Sequence, residues 1–437
     1  MLDVAIIGCG VVGAAAAYEL SHYPLHTAIF EAENDVADCT TKANSAILHA
    51  GYDPEPGTRM ARLNVEGVAL AKEICARLDV PYLQCGSLVL ALSPEELPHL
   101  QKLYENGIAN GVEGLRIIER DELVGMEPNI SDTAVAALWA PTGGIVCPFN
   151  LTIALAENAF DNGVEFQFNT EVTGFTWEDG FWTIHTNHGD FESRYVINAA
   201  GVYADVLHNM VSTRKLHITP RRGDYCLLDK NTGDFVSHTI FQLPGKLGKG
   251  VLVSPTVHGN LLLGPSAIDV KDGTAVETTA QALKLVADAA RKTWPGESLR
   301  GVITTFAGIR AHEKNGDFVI GAVEGAPGAY ETVGIESPGL TSAPAIAEML
   351  VKQIAEENGL SEKAEWKPAP RREKPFYAMT LEERVAIVQK DPSYGTLVCR
   401  CEEVTEAEIR AAIRRPVGAR TIDAVKRRTR AGMGRCQ

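Results

Sequence analysis

No stretch of this chain stays apolar over the roughly 18 to 20 residues that a membrane-spanning helix requires. No basic excess marks it as a binder of nucleic acid either, since the formal net charge of its 437 residues is −15. Internal repeats and low-complexity tracts are missing. No basic segment or cleavage signal precedes the strand-like Leu2–Ile7, so no secretion leader is expected. Without one, the nine cysteines do not read as a disulfide framework, and the expected compartment is the cytoplasm. Cys9, Cys39, Cys75, Cys85, Cys147 and Cys226 are scattered and read as small core residues.

What is present is enough chain for two or three domains. Charge divides unevenly between them. From Ser361 onward 17 Lys+Arg face 11 Asp+Glu, a balance of +6, which leaves −21 on residues 1–360. The tail therefore reads as a separate module.

The most specific signal stands at the start. The apolar run Asp3–Ile7 leads into Gly8-Cys9-Gly10-Val11-Val12-Gly13, then a helical Ala14–Leu20, then a second strand, Thr27–Phe30, ending at Glu31. Gly8 permits the tight turn, Gly10 the approach of a pyrophosphate, and Gly13 close packing of helix on strand. The helix N-terminus, with Val12 in its first turn, offers free N–H groups to phosphates. Glu31, 18 residues after Gly13, can accept hydrogen bonds from a ribose diol and would repel the 2′-phosphate of NADP. The motif alone leaves FAD and NAD open.

Three later segments favour FAD. Thr40–Ser45 clusters small hydroxyl and amide residues suited to a pyrophosphate and the edge of a flavin. Tyr195–Asp205 is a strand ending in small residues, including Ala200 and Gly201. Gly334–Pro344 is a loop opening onto a helix N-terminus, suited to negative charge on a reduced flavin.

On these motifs, together with Thr41-Lys42-Ala-Asn-Ser45-Ala-Ile-Leu-His49-Ala-Gly51, Ala140-Pro-Thr-Gly-Gly-Ile145, Asn198-Ala-Ala-Gly201, Phe306-Ala-Gly308-Ile-Arg310 and Ser337-Pro-Gly339-Leu340-Thr341, the chain from Asp3 to about Gly359 resembles the glycerol-3-phosphate dehydrogenase and oxidase branch of the flavoproteins that also include D-amino-acid oxidase and L-2-hydroxyglutarate oxidase. The resemblance implies an α/β fold: a Rossmann-type FAD domain in discontinuous segments, 1–81, 145–215 and 300–360, with a substrate domain, 82–144 and 216–299, on a mostly antiparallel sheet. It implies cofactor contacts from Gly8, Gly10, Val12, Gly13, Glu31, Thr41, Lys42, Ser45, Val172, Ala200, Gly201, Gly308, Gly339, Leu340 and Thr341. It implies hydride transfer from sn-glycerol 3-phosphate to flavin, giving dihydroxyacetone phosphate.

Alcohol oxidation by a flavin needs a base for the hydroxyl proton and a grip that aims the C–H bond at the ring. Arg310 suits the substrate's anion as a planar, permanently charged fork; the plainer alternative is an interdomain salt bridge. His49 titrates near neutrality and suits the base; the alternative is a histidine that only hydrogen-bonds cofactor or backbone. Arg222 and His312 are secondary substrate contacts to test, with Lys42 and Arg221 also near in sequence.

After a charged, Pro-bearing stretch, 361–395, read as a linker that packs on the body, Cys399-Arg-Cys401 closes an apolar strand and Cys436 follows after 34 residues. The segment 396–437, expected to be α-rich, resembles the bacterioferritin-associated-ferredoxin-like [2Fe–2S] module, whose pattern is CxC and later C-x4-C. Thiolates bind iron–sulfur clusters, and glycines beside the last pair let N–H groups face sulfur. Three ligands are in the sequence, and the pattern's fourth falls after Gln437. The basic run Lys426–Arg430 is read as positive charge beside an anionic cluster.

Three functions remain open: a glycerol-3-phosphate dehydrogenase that passes electrons to a partner subunit or quinone-linked carrier, an oxidase or dehydrogenase of an L-2-hydroxy acid, and a non-catalytic electron-transfer subunit. An enclosed pocket at the flavin's face speaks against the last.

Overall fold

The computed structural model describes residues 1–245, 250–296, 299–368, 370 and 374–437. Residues 369 and 371–373 of the expected linker lie outside the described residues.

Two large sheets carry the molecule. The first orders its strands Val172–Glu178, Phe181–Thr186, Gly189–Asn198, Leu2–Ile7, Thr27–Phe30 and Glu165–Gln167, with Ala329–Val333 also on Gly189–Asn198. Leu2–Ile7 runs parallel to both neighbours and is buried on both faces, which explains why it is apolar almost throughout: Val4 and Ile6 cluster with helix residues, and Leu2, Ala5 and Ile7 cluster with Val172, Trp182 and Ile184. Helix Val11–Leu20 packs on Pro148–Asp161 and Gly339–Glu357. Its residues Ala14–Ala17 are each at most 1% exposed, and these small side chains let three helices meet over one strand. The antiparallel meander 172–198 joins this same sheet, because Gly189–Asn198 is both its last strand and the parallel neighbour of Leu2–Ile7.

The second sheet is largely antiparallel, ordered Ile268–Asp269, Ile218–Leu228, Leu261–Gly264, Leu252–Pro255, Thr239–Gln242, Ser87–Ala91, Ala136–Ala140 and Arg116–Glu119. Val302–Glu313 pairs along the whole of Ile218–Leu228, from Ile218↔Glu313 to Leu228↔Val302. It thus belongs to this second sheet and not to the dinucleotide unit expected for 300–360, and of its Phe306–Arg310 motif Arg310 alone reaches the cavity described below. A small sheet of Ile47–Leu48, Gly144–Val146 and Tyr82–Leu83 bridges the two. The second sheet meets the turn Thr40–Lys42 and its following residue at Gly308, where a Cβ would lie 1.9 Å from the Ala43 carbonyl oxygen, and Thr40 Oγ1 donates to the Ile309 carbonyl at 2.6 Å.

The stretch read as a linker contains the helix Leu381–Lys390, started by a capping box of Thr380 and Glu383. Upstream, Trp366 stacks on His22 at 3.9 Å and ties the segment to the body. The terminal module is the hairpin Leu397–Cys399/Val404–Thr405 followed by helices Glu406–Arg414 and Ile422–Thr429. Its basic run is only partly near the cysteines: Arg427 and Arg428 are buried against Asp35, while Arg430 pairs with Glu402. Among the described residues no helix is long and apolar enough to cross a membrane.

Candidate active site

The glycine turn is built by contact. Gly8 has φ +97°, and a Cβ on Gly13 would lie 1.9 Å from the Gly8 carbonyl oxygen, so helix and strand touch through backbone alone. The first N–H groups of a helix have no intrahelical partner. Thr41 Oγ1 accepts that of Val11 at 3.0 Å, and Val12, the next residue of the helix, lies on the lining of the cavity described below. Glu31 sits at the end of the second strand with Oε2 accepting from Cys9 N at 2.6 Å and Oε1 from Glu33 N at 2.9 Å. A carboxylate offers about four acceptor positions, so two are left for a ribose diol. Burial pushes its carboxyl above the ordinary range, and the two backbone donors partly offset this.

A cavity of about 1400 Å³ begins at this turn and continues to the second sheet. It exceeds the roughly 300–1,000 Å³ of an ordinary ligand pocket, enough to hold a long cofactor and a small substrate together. Of the residues singled out by sequence, Gly8, Gly10, Val12, Glu31, Thr41, Ser45, His49, Val172, Ala200, Gly201, Arg310, Gly339 and Leu340 line it.

Six others do not line it. Gly13 and Gly308 act by close approach. Thr341 accepts from His49 N at 2.9 Å and so fixes that loop. Lys42 turns away, its ammonium bound to Asp38 and 3.5 Å from Asp423. Arg222 points to the opposite face of its strand, with Nε 3.3 Å from Asp224. His312 is held by Glu336, Nδ1 to Oε1 at 2.7 Å.

Arg221, rather than Arg222, shares the cavity with Arg310. The two are register partners across the strands, so they lie on one face. Arg221 is neutralised by Asp269 through contacts of 2.6 and 3.3 Å, which also hold the Asp269 carboxyl below its usual range. Arg310 pairs with no carboxylate among the described residues: Nη2 donates to the Ser266 carbonyl at 2.7 Å, and Nε is buried without a partner. Tyr225, also on the lining, stacks on Phe306 at 4.8 Å and has its hydroxyl 3.2 Å from Ser45 Oγ. Sequence reasoning passed over it, although it stands four residues from Arg221 and strand alternation puts both on one face.

His49 is gripped through its backbone, N to Thr341 and O from Asn64 Nδ2 at 2.5 Å. Its Nε2 lies 3.3 Å from Ser337 Oγ and its ring 5.7 Å from that of Phe241.

The ligand atoms of Cys399, Cys401 and Cys436 all fall within 4.8 Å of one another. Cys401 Sγ is 3.7 Å from Cys399 Sγ and 3.1 Å from Cys436 Sγ, too far for a disulfide. Gly432 N faces Cys399 Sγ at 3.4 Å. Converging thiols with an N–H donor beside one of them fit an iron–sulfur cluster.

The family model of FAD-dependent oxidoreductases (DAO) matches residues 3–353, and that of the BFD-like [2Fe-2S] binding domain matches 397–437. The glycerol 3-phosphate dehydrogenase of Caloramator mitchellensis is 50% identical over 440 residues, 100% of this chain and 91% of that relative. Human mitochondrial L-2-hydroxyglutarate dehydrogenase is 33% identical over 61% of each. The dithionite-reduced L-alpha-glycerophosphate oxidase of Mycoplasma pneumoniae, solved with FAD bound, superposes with a TM-score of 0.81 at 32% identity, covering 85% of this chain and 99% of that one.

Proposed function

The chain belongs to the family of FAD-dependent oxidoreductases and carries a BFD-like domain, and from that premise we propose that it oxidises sn-glycerol 3-phosphate to dihydroxyacetone phosphate. Bound FAD supplies the acceptor for a hydride from the alcohol carbon. The rest is the work of the chain. Arg310, with its unpartnered Nε, takes the phosphate and thereby fixes which carbon is presented. His49 receives the hydroxyl proton on its imidazole. Phe241, Leu340 and Ile47, all on the lining, keep water from the reacting carbon. The carbinol loses one hydride and one proton and becomes a ketone.

The observation that carries this reading is Arg310, half-buried, with a buried and unpartnered Nε and no carboxylate partner among the described residues, in the same cavity as His49 and the dinucleotide residues. Cys399, Cys401 and Cys436 would hold an iron–sulfur cluster, which would supply one-electron carriage from the flavin towards a partner subunit or quinone-linked carrier. A cytoplasmic setting is in keeping with nine cysteines that form no disulfide.

A second reading, oxidation of an L-2-hydroxy acid, is favoured by the L-2-hydroxyglutarate dehydrogenase relatives and by the fact that a guanidinium takes carboxylate as readily as phosphate. A relay without chemistry of its own has the continuous cavity against it. Anaerobic flavin bleaching with glycerol 3-phosphate, L-2-hydroxyglutarate and lactate separates the three: bleaching by the first alone supports the proposal, by the second supports the alternative, and by none supports the relay.

A further inference from the structure

Glu31, Glu33, Asp35 and Asp38 crowd the eight residues after the second strand. Three of them, Glu31, Glu33 and Asp38, line the cavity at the end that receives a pyrophosphate. An anion site walled by carboxylates repels its ligand unless cations neutralise the wall. Among the described residues the cations within ion-pair distance of these four are Lys42, Arg427 and Arg428. Two of the three come from the C-terminal module.

The contacts are of a kind that fixes position. Arg428 meets Asp35 as a two-pronged pair, Nη1 to Oδ2 at 2.8 Å and Nη2 to Oδ1 at 2.7 Å. Arg427 spans Asp35 at 2.7 Å and Asp38 at 2.9 Å. It also meets Asp423 of its own helix at 2.6 Å, so the module contributes two cations and one carboxylate. The side chains of Arg427, Arg428 and Asp35 are 2%, 0% and 1% exposed. From Asp35 the path to the glycine turn is short, since Ala37 N donates to the Cys9 carbonyl at 3.0 Å.

We propose that Arg427 and Arg428 are components of the dinucleotide site, neutralising the acidic loop 31–38 and holding it in the shape that admits a pyrophosphate, so that module docking and FAD binding are coupled. The inference rests on FAD as the occupant, not on the identity of the substrate. Coupling of this kind is reciprocal: what the docked module does for FAD affinity, bound FAD does for module docking.

The test uses the full chain. In the Arg427→Met/Arg428→Met variant, FAD titrated into the flavin-free protein and followed by flavin fluorescence should bind about 5- to 150-fold more weakly than to wild type. Adding Asp35→Asn and Asp38→Asn, which removes the stranded carboxylates, should recover most of that loss. A Kd within about twofold of wild type in the arginine variant, or no recovery in the fourfold variant, overturns the proposal. Should the variants fail to fold, unaltered protein decides by hydrogen exchange: bound FAD should slow exchange of the Ile422–Thr429 amides, and equal exchange with and without FAD overturns it. Failure of the wild type to bind FAD at all would count against the parent reading instead.

Discussion

Replacing Arg310 with methionine removes the charge and the fork while keeping most of the volume. The guanidinium has five donors; one is engaged by the Ser266 carbonyl, and Nε is buried and unengaged. An anion arriving in the cavity can take two charge-assisted hydrogen bonds from what remains. At about 1.5 to 3 kcal/mol each, their loss amounts to roughly 3 to 6 kcal/mol, or about 10²- to 10⁴-fold in kcat/KM. Because Arg310 holds the substrate rather than moving a proton or hydride, most of that should fall on substrate affinity. Stopped-flow flavin reduction under anaerobic conditions separates the two, giving a Kd from the concentration dependence and a limiting rate. Glycerol, which lacks the phosphate, serves as the internal control: its already poor reaction should barely change. The reasoning fails if the variant, with FAD retained, stays within about threefold of wild type on glycerol 3-phosphate. It fails equally if glycerol and glycerol 3-phosphate lose rate in the same proportion.

The base at His49 predicts a different signature: His49→Asn should lower the limiting rate of flavin reduction by about 10²-fold or more with substrate affinity nearly kept, and an unchanged limiting rate would remove the assignment. Glu19, in the first helix, has its carboxyl raised from the ordinary 4.5 to about 7, chiefly by burial and then by Glu348. The folded state thus holds a proton that the unfolded chain releases. The resulting penalty is absent below pH 4.5, grows as pH rises to 7 and stays constant above, up to roughly 3 kcal/mol. Glu19→Gln should therefore unfold at a higher temperature than wild type at pH 8 and at the same temperature at pH 4; a difference that persists at pH 4 contradicts the stated cause. Cys401, the nearest of the three thiols to both others, should be needed for metal: Cys401→Ser should lose bound iron and the visible absorption of a cluster, and iron content equal to wild type would show that the cysteines are not its ligands.

How much of this was legible in the chain depends on whether a property is local. The roles of Gly8 and Gly13 follow from one turn and one contact a few residues long, and the spacing to Glu31 follows from one strand–helix–strand unit. Arg310 was found through its neighbours in sequence. The sequence puts Arg222 ahead of Arg221 and the structure reverses them, because which of two adjacent strand residues faces a cavity is set by pairing with a strand some 80 residues away, and a slip of one reverses the answer. Lys42 reads as a cofactor contact until Asp38 and Asp423 are brought to it. The basic run of the module reads as a counter-charge for a cluster until folding delivers two of its arginines to a loop nearly 400 residues earlier. Long-range charge pairing has no periodicity, and so leaves no trace in a single sequence.

The contact between Gly308 and the Ala43 carbonyl separates what can vary in this architecture from what cannot. The second sheet is seated there on the turn that follows the first sheet's second strand, main chain against main chain, independent of any side chain that meets a substrate. Residues on the cavity face of Ile218–Leu228 and Val302–Glu313 can then be exchanged for others without moving the dinucleotide turn. Altering substrate preference becomes a problem of a few inward positions, Arg221, Tyr225 and Arg310 first among them, while Gly308 is the position at which even one added methyl would change every distance at once.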